Sequence, residues 1–515
     1  MKFQVVTLFQ KKYFSGYFLR LTFYSHMWFC EKVTFRLYFF SKQGRCGFKK
    51  INTKALERRR KKKARRQARK KLSQCSKQKG KCLTLIIYQT INHYFPDLFE
   101  RMREIEDYRK KSEYELAELI TACIAMFLFK EGSRNAFNND RKEENFEENY
   151  NKFFKMKLPH MDTVDNVMRR LEESELEKLK ASMIKNLLVK KSLHKFRLFG
   201  RYFIVAVDGT GVHSYSERHC DQCLTKTSSK TGKTTYFHNV LEAKLICPNG
   251  FSISLATEWI ENPEGDFDKQ DCEQKAFKRL AVKLKKEYPR LQICIATDGL
   301  YPNLPFFDLC RKHNWRCIVT FKKGNLPSVW DKVHVLQEVT KDNTCNKTVI
   351  CKGKKICSEY CWINAIDYHG HKLNWIECVE SSESMNSGKT ESAYFVHLTD
   401  MEINWNNAPT LSHTGRLRWK IENEGFNTQK NLGYNMKHKY SRSTYSATKN
   451  YYQCLQIAHL INQLVELSSN CKKLLESKVT VKDLWKYLIG FFTYKVICRK
   501  ELSELSQLRI QIRLE

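Results

Sequence analysis

Acidic residues are scarce in this chain: 55 Asp and Glu stand against 91 Lys and Arg over 515 residues, a net charge of +36. That imbalance argues against basic partners and makes a polyanion, above all nucleic acid, the expected one. Long apolar runs are also missing. The longest, around Ile120 to Phe129, is too short to span a bilayer, so no membrane is expected. The first fifty residues mix aromatic and aliphatic side chains with Lys or Arg every few positions, and resemble neither a signal peptide nor a transmembrane helix. The twenty cysteines form no framework of paired spacings, which favours free thiols in a reducing compartment over disulfides. No P-loop spacing occurs in the Thr/Ser/Lys-rich loop between Cys223 and Thr235, so it is expected to touch DNA or nothing rather than a nucleotide.

The charge is unevenly spread. Residues 1–53 carry +9 and residues 54–81, which include ERRRKKKARRQARKK, carry +14, leaving +13 on the remainder. A like-charge block of that kind is expected to be disordered when free and to touch DNA non-specifically, which makes 1–81 a basic tail. Residues 82–195 show helix-period apolar residues throughout and read as a helical domain suited to DNA binding, with Asp162 or Thr163 capping its last helix.

From 203 the pattern changes. YFIVAVDGTG contains an apolar strand that ends in Asp208. HNVLEAKLIC and FSISLATEW read as two further strands around a Pro-Asn-Gly turn. An amphipathic helix (268–288), a strand ending in Asp298 (LQICIATD), a short helix (304–313) and a strand (WRCIVTF) follow. An antiparallel meander followed by helix, strand, helix, strand is the order of an RNase H-like α/β fold. Its core occupies 196–325, a β-rich insertion 326–405, a core helix 406–445 and a C-terminal helical region 446–515.

In such a sheet Asp208 and Asp298 end neighbouring strands. Two ionised carboxylates that close repel unless a cation lies between them, and hard oxygen ligands suit Mg²⁺ or Mn²⁺. A third acid is expected from RLRWKIENEGFNTQKN. At 100° per residue Arg418 and Glu422 share a helix face, Lys430 lies near it, and Glu424, the alternative acid, points away. An ordinary i, i+4 surface ion pair would give the same pattern.

VAVDGT, IATDGLYPN and RWKIENEGFNTQKN, in that order and with a β-rich insertion before the last, resemble the D-D-E transposases of bacterial insertion sequences. The similar subgroup carries a Tyr-x2-Arg-x3-Glu-x6-Lys signature after the insertion. The resemblance implies that Asp208, Asp298 and Glu422 are the catalytic residues and hold two Mg²⁺ or Mn²⁺ ions; beside them Arg418 can position a DNA phosphate or orient the carboxylate, and Lys430 can reach the DNA backbone. It also implies double-stranded DNA partners (terminal repeats and target), a homodimer or higher multimer on DNA, and a bacterial, nucleoid-associated location in the cytoplasm. Two positions depart from the signature: Gly415 stands at the tyrosine, and Lys430 comes one place late, with Gln429 in the lysine position. An RNase H-fold nuclease without strand transfer, and a non-catalytic DNA-binding protein derived from a transposase, remain alternatives.

Two cysteine groups stand out, Cys220-Asp221-Gln222-Cys223 and Cys351/Cys357/Cys361. Neither supplies the two spaced pairs of a structural zinc site, so reduced structural thiols are expected.

Overall fold

The computed structural model describes residues 78–263, 269–351, 353–476, 479–507 and 512–514. The basic run up to residue 77 lies outside them. The described chain is mixed α/β, with ten strands in one mixed sheet.

Strand β1 (Phe203–Tyr215) is followed by β2 (Leu224–Thr227), β3 (Thr234–Ile246) and β4 (Ser252–Ile260). After the helix Glu273–Glu287 come β5 (Ile293–Thr297), the helix Leu304–His313 and β6 (Arg316–Thr320). The insertion supplies β7 (Thr344–Cys351), β8 (Lys354–Tyr368), β9 (His371–Ser384) and β10 (Thr390–Thr399). β3 pairs antiparallel with β1 and β4, and β5 runs parallel to both β1 and β6. The insertion does not fold apart: β10 pairs antiparallel with β6, so its four-stranded meander widens the same sheet.

Strand alternation sends successive side chains to opposite faces. Phe203, Val205 and Val207 join a core shared with the helical regions. Ile204 and Ala206 face the other way, with Cys294 and Ala296 of β5, and pack under Leu417, Ile421 and Phe426. Helices from the two ends of the chain interlock over the first face. The Trp485 indole donates to the Leu128 carbonyl at 2.8 Å, and Asn450 Nδ2 to the Met168 and Leu171 carbonyls at 3.0 and 2.8 Å. The helix Leu116–Leu128 is buried on every side, as its almost uninterrupted apolar sequence requires.

Three expectations are corrected. β1 continues to Tyr215 rather than ending at Asp208, because β3 offers it a ladder as far as Tyr236. The insertion opens with a helix, Pro327–Val339, whose buried Val329 and Val333 lie one turn apart. The last helix of the N-terminal region is two helices, Met161–Met168 and Glu173–Val189. The first is capped by His160, whose ring accepts from the Asp162 amide, so neither Asp162 nor Thr163 is the cap. No helix of the described residues is long and apolar enough to cross a membrane.

Candidate active site

The register of β1 against β5 brings the first two acids together. Ile204 pairs with Cys294 and Ala206 with Ala296, so the next residues on the same face are Asp208 and Asp298. Both are half-buried: Asp208 lies within β1, two residues past its last pairing with β5, and Asp298 directly follows the end of β5. Each carboxylate accepts from a backbone amide that follows it: Asp208 Oδ1 from the Gly209 amide at 3.0 Å, and Asp298 Oδ1 from the Leu300 amide at 2.9 Å.

The third acid arrives on the segment that covers this face. After the helix Ala408–Leu417 the chain winds through a π-helical turn, Ile421–Asn427, with Ile421 and Phe426 buried as anchors. Arg418 Nη1 donates to Asp208 Oδ2 at 3.2 Å, in a pair whose side chains are 13% and 20% exposed. Glu422 is near enough that its charge acts on Asp208. Burial, above all, pushes the Asp208 carboxyl up to about 6; Arg418 opposes this, and Asp298 and Glu422 add to it. Glu424 is engaged elsewhere, its Oε1 accepting from Lys420 Nζ at 2.6 Å. Arg418, expected to position a phosphate or to orient the carboxylate, thus spends one guanidinium nitrogen on a carboxylate.

The π turn also accounts for the late lysine. A π turn needs one residue more than an α turn to return to the same face, and such turns are frequent at functional sites. Lys430 therefore comes beside Glu422 and Asp208, whose charges counter the lowering of its pKa by burial. Gln429, in the signature position, is fully buried instead. It bonds to Lys244 Nζ at 3.2 Å, to Gln456 at 2.8 Å and to His459 at 2.9 Å. Gly415 has its own explanation: a Cβ there would lie 2.3 Å from Cδ2 of the buried His397 on β10, so no tyrosine fits.

A fourth acid, Glu273, stands in no motif of the sequence. It begins the helix Glu273–Glu287, where the helix dipole favours an anion. Its Oε1 packs so closely on Gly209 that a Cβ there would stand 2.3 Å away. Burial pushes it up to about 7, with Asp208 and Asp298 contributing and the nearby Tyr301 hydroxyl opposing. An acid in a first helical turn is too common to signal a site by itself.

All four side chains are hard oxygen donors, a set that fits Mg²⁺ or Mn²⁺. Their oxygens are not drawn as close as ligands of a single ion: among the described residues, the group of His, Cys, Asp and Glu ligand atoms lying within 4.8 Å of one another is Cys220, Cys223 and His238. The second cysteine group disperses along a hairpin, with Cys351 opposite Lys354, Cys357 opposite Thr348 and Cys361 opposite Thr344. No family model matches this chain, and no curated protein matches it either.

Proposed function

We propose that this chain is a D-D-E DNA transposase, cleaving at transposon ends and transferring the freed strand into target DNA, on an RNase H-like catalytic core. The observation that carries the reading is the convergence of Asp208, within β1, and Asp298, just past the end of the adjacent parallel β5, with Glu422 on the π turn that packs over the same face. The strand order β4-β3-β1-β5-β6, with β1, β5 and β6 parallel, supports the RNase H-like core.

Asp208, Asp298 and Glu422 would hold two divalent cations, Mg²⁺ or Mn²⁺. The chemistry bound cations supply in such a site is activation of a water or 3′-hydroxyl and stabilisation of the departing oxygen. Arg418 orients the Asp208 carboxylate and holds it ionised against burial. Lys430, at the rim beside Glu422, contacts the DNA backbone. The excess of basic residues over the chain draws double-stranded DNA to the protein, and two or more copies assemble on it.

The test is Mg²⁺-dependent nicking and strand transfer on a duplex carrying the inverted repeats that flank the reading frame in its source DNA. Asp208→Asn and Asp298→Asn should each abolish nicking while DNA binding persists. Full cleavage by Asp208→Asn would end the reading. Nicking without joining to a second duplex would make the protein a nuclease instead.

A further inference from the structure

The loop between β1 and β2 brings two cysteines against a histidine of β3, so that three ligands suited to zinc meet at a point. Cys220 Sγ and Cys223 Sγ are 3.7 Å apart, and His238 Nε2 lies 3.4 Å from the first and 3.3 Å from the second. A disulfide would bring the sulfurs to about 2.0 Å; these are free thiols. Around a tetrahedral zinc ion, with Zn–S of about 2.3 Å and Zn–N of about 2.0 Å, ligand atoms stand about 3.8 Å apart S to S and about 3.5 Å S to N. All three edges here fall close to those values. Hydrogen bonds could fill all three edges only through a bifurcated imidazole N–H, whereas a single shared cation satisfies both sulfurs and the ring nitrogen at once.

The surroundings hold the ligands in place without a metal. The Cys223 amide donates to the Cys220 carbonyl at 3.3 Å, forming the turn of the C-x2-C loop. Asn262, just past β4, donates from Nδ2 to the Cys223 carbonyl at 3.0 Å and from its amide to the Gln222 carbonyl at 3.3 Å. His238 is fully buried on β3, its ring stacked on Tyr445 at 4.0 Å. The sequence alone hides the third ligand, since His238 is fifteen residues from Cys223 and meets it only when β3 pairs back along β1 and β2.

We propose that Cys220, Cys223 and His238 bind one zinc ion, which staples residues 216–223 to β3 and fixes the root of the basic hairpin that follows. No fourth His, Cys, Asp or Glu of the described residues comes within the same reach, so water completes the tetrahedron. The hairpin, β2 with β3, carries exposed Lys226, Lys230 and Lys233, and its β3 arm pairs with β1, the strand that bears Asp208. A zinc staple would give it the rigidity to grip a polyanion. The site stands on its own geometry and does not depend on the transposase reading.

The full chain, purified without chelator, should contain one equivalent of zinc by elemental analysis. Cys220→Ser, at the half-buried rim of the site, should lose it, whereas Cys351→Ser, an exposed thiol on β7, and Asp208→Asn should retain it. Cobalt exchanged into the wild-type chain should show thiolate-to-cobalt charge-transfer absorption, a readout independent of how the variants fold. Stripping zinc should open the 216–233 loop to protease without unfolding the sheet. Zinc-free protein that gives no cobalt–thiolate band, a Cys220–Cys223 disulfide in non-reduced peptides, or undiminished zinc in Cys220→Ser would each overturn the proposal.

Discussion

Arg418 reaches across from the covering segment to Asp208, Nη1 to Oδ2 at 3.2 Å, and is the cation that lowers the pKa of a carboxyl otherwise raised by burial and by two neighbouring acids. Removing it should raise that pKa further above about 6. At subsaturating Mg²⁺, protons and cations compete for Asp208, so the acid limb of the nicking profile should move to higher pH in Arg418→Gln. Arg418→Lys should restore part of the shift, because it keeps the charge but loses the planar fork. The measurement is nicking rate against pH at fixed Mg²⁺. A slower enzyme with an unmoved profile would mean that Arg418 serves DNA rather than Asp208.

The same crowding should show in stability. Asp208 is raised from 3.8 to about 6 and Glu273 from 4.5 to about 7. The folded state therefore binds these protons more tightly than the unfolded one. The stabilisation is fully present below the unfolded values and is lost as pH rises through the folded ones. Metal-free protein should thus melt at a lower temperature at neutral pH than near pH 4 to 5 on account of these groups. Glu273→Gln should regain about 1–3 kcal/mol above neutrality, and Mg²⁺ should do the same for the wild type. Melting temperature against pH, with and without Mg²⁺, checks this; identical curves for wild type and Glu273→Gln would refute it.

The sheet is legible because its strands contain β-branched or apolar runs bounded by turn residues, although β1 runs on past Asp208 to Tyr215, and of the two aspartates only Asp298 directly follows a strand end. Their pairing follows from strand order. What escapes depends on distant contacts. Glu273 matters because Gly209 leaves it room, and no local pattern around DCEQKAF carries that information. The π turn at 421–427 hides in a sequence that reads as an α-helix, since the extra residue per turn is fixed by the burial of Ile421 and Phe426 rather than by local preference. Gly415 and Gln429 look like flaws in a signature. In the fold the first makes room for His397 and the second belongs to a buried polar network with Lys244.

The basic tail offers a prediction that rests on charge alone. Deleting residues 54–77, short of the helix that is under way at residue 78, removes +12, so non-specific DNA affinity should fall. The slope of log affinity against log salt should become shallower by about 0.9 for each phosphate the tail no longer neutralises. Nicking of an already bound end should survive. Titration of a fluorescent duplex at several salt concentrations measures both quantities. An unchanged slope would show that the tail does not touch the DNA.

The sharpest test separates the two glutamates of the π turn. Glu422 shares its surroundings with Asp208 and Lys430, whereas Glu424 is paired with Lys420 at 2.6 Å, one α-helical step away. A cation ligand replaced by a neutral amide loses the charge that holds the cation, so Glu422→Gln should lose nicking by several orders of magnitude. Glu424→Gln gives up a partly exposed ion pair worth at most about 1 kcal/mol and should keep most activity. Lys430→Ala should fall between them, weakening the grip on DNA without removing a ligand. Adding Mn²⁺ in place of Mg²⁺ should rescue none of the Glu422→Gln loss if the carboxylate itself is required. The variants are compared on one transposon-end duplex, with folding checked by circular dichroism. Loss in Glu424→Gln with activity kept in Glu422→Gln would mean that the π turn presents the other acid. Activity in both would place the third ligand elsewhere, with Glu273, already against Gly209 and within the influence of both aspartates, the next carboxylate to replace.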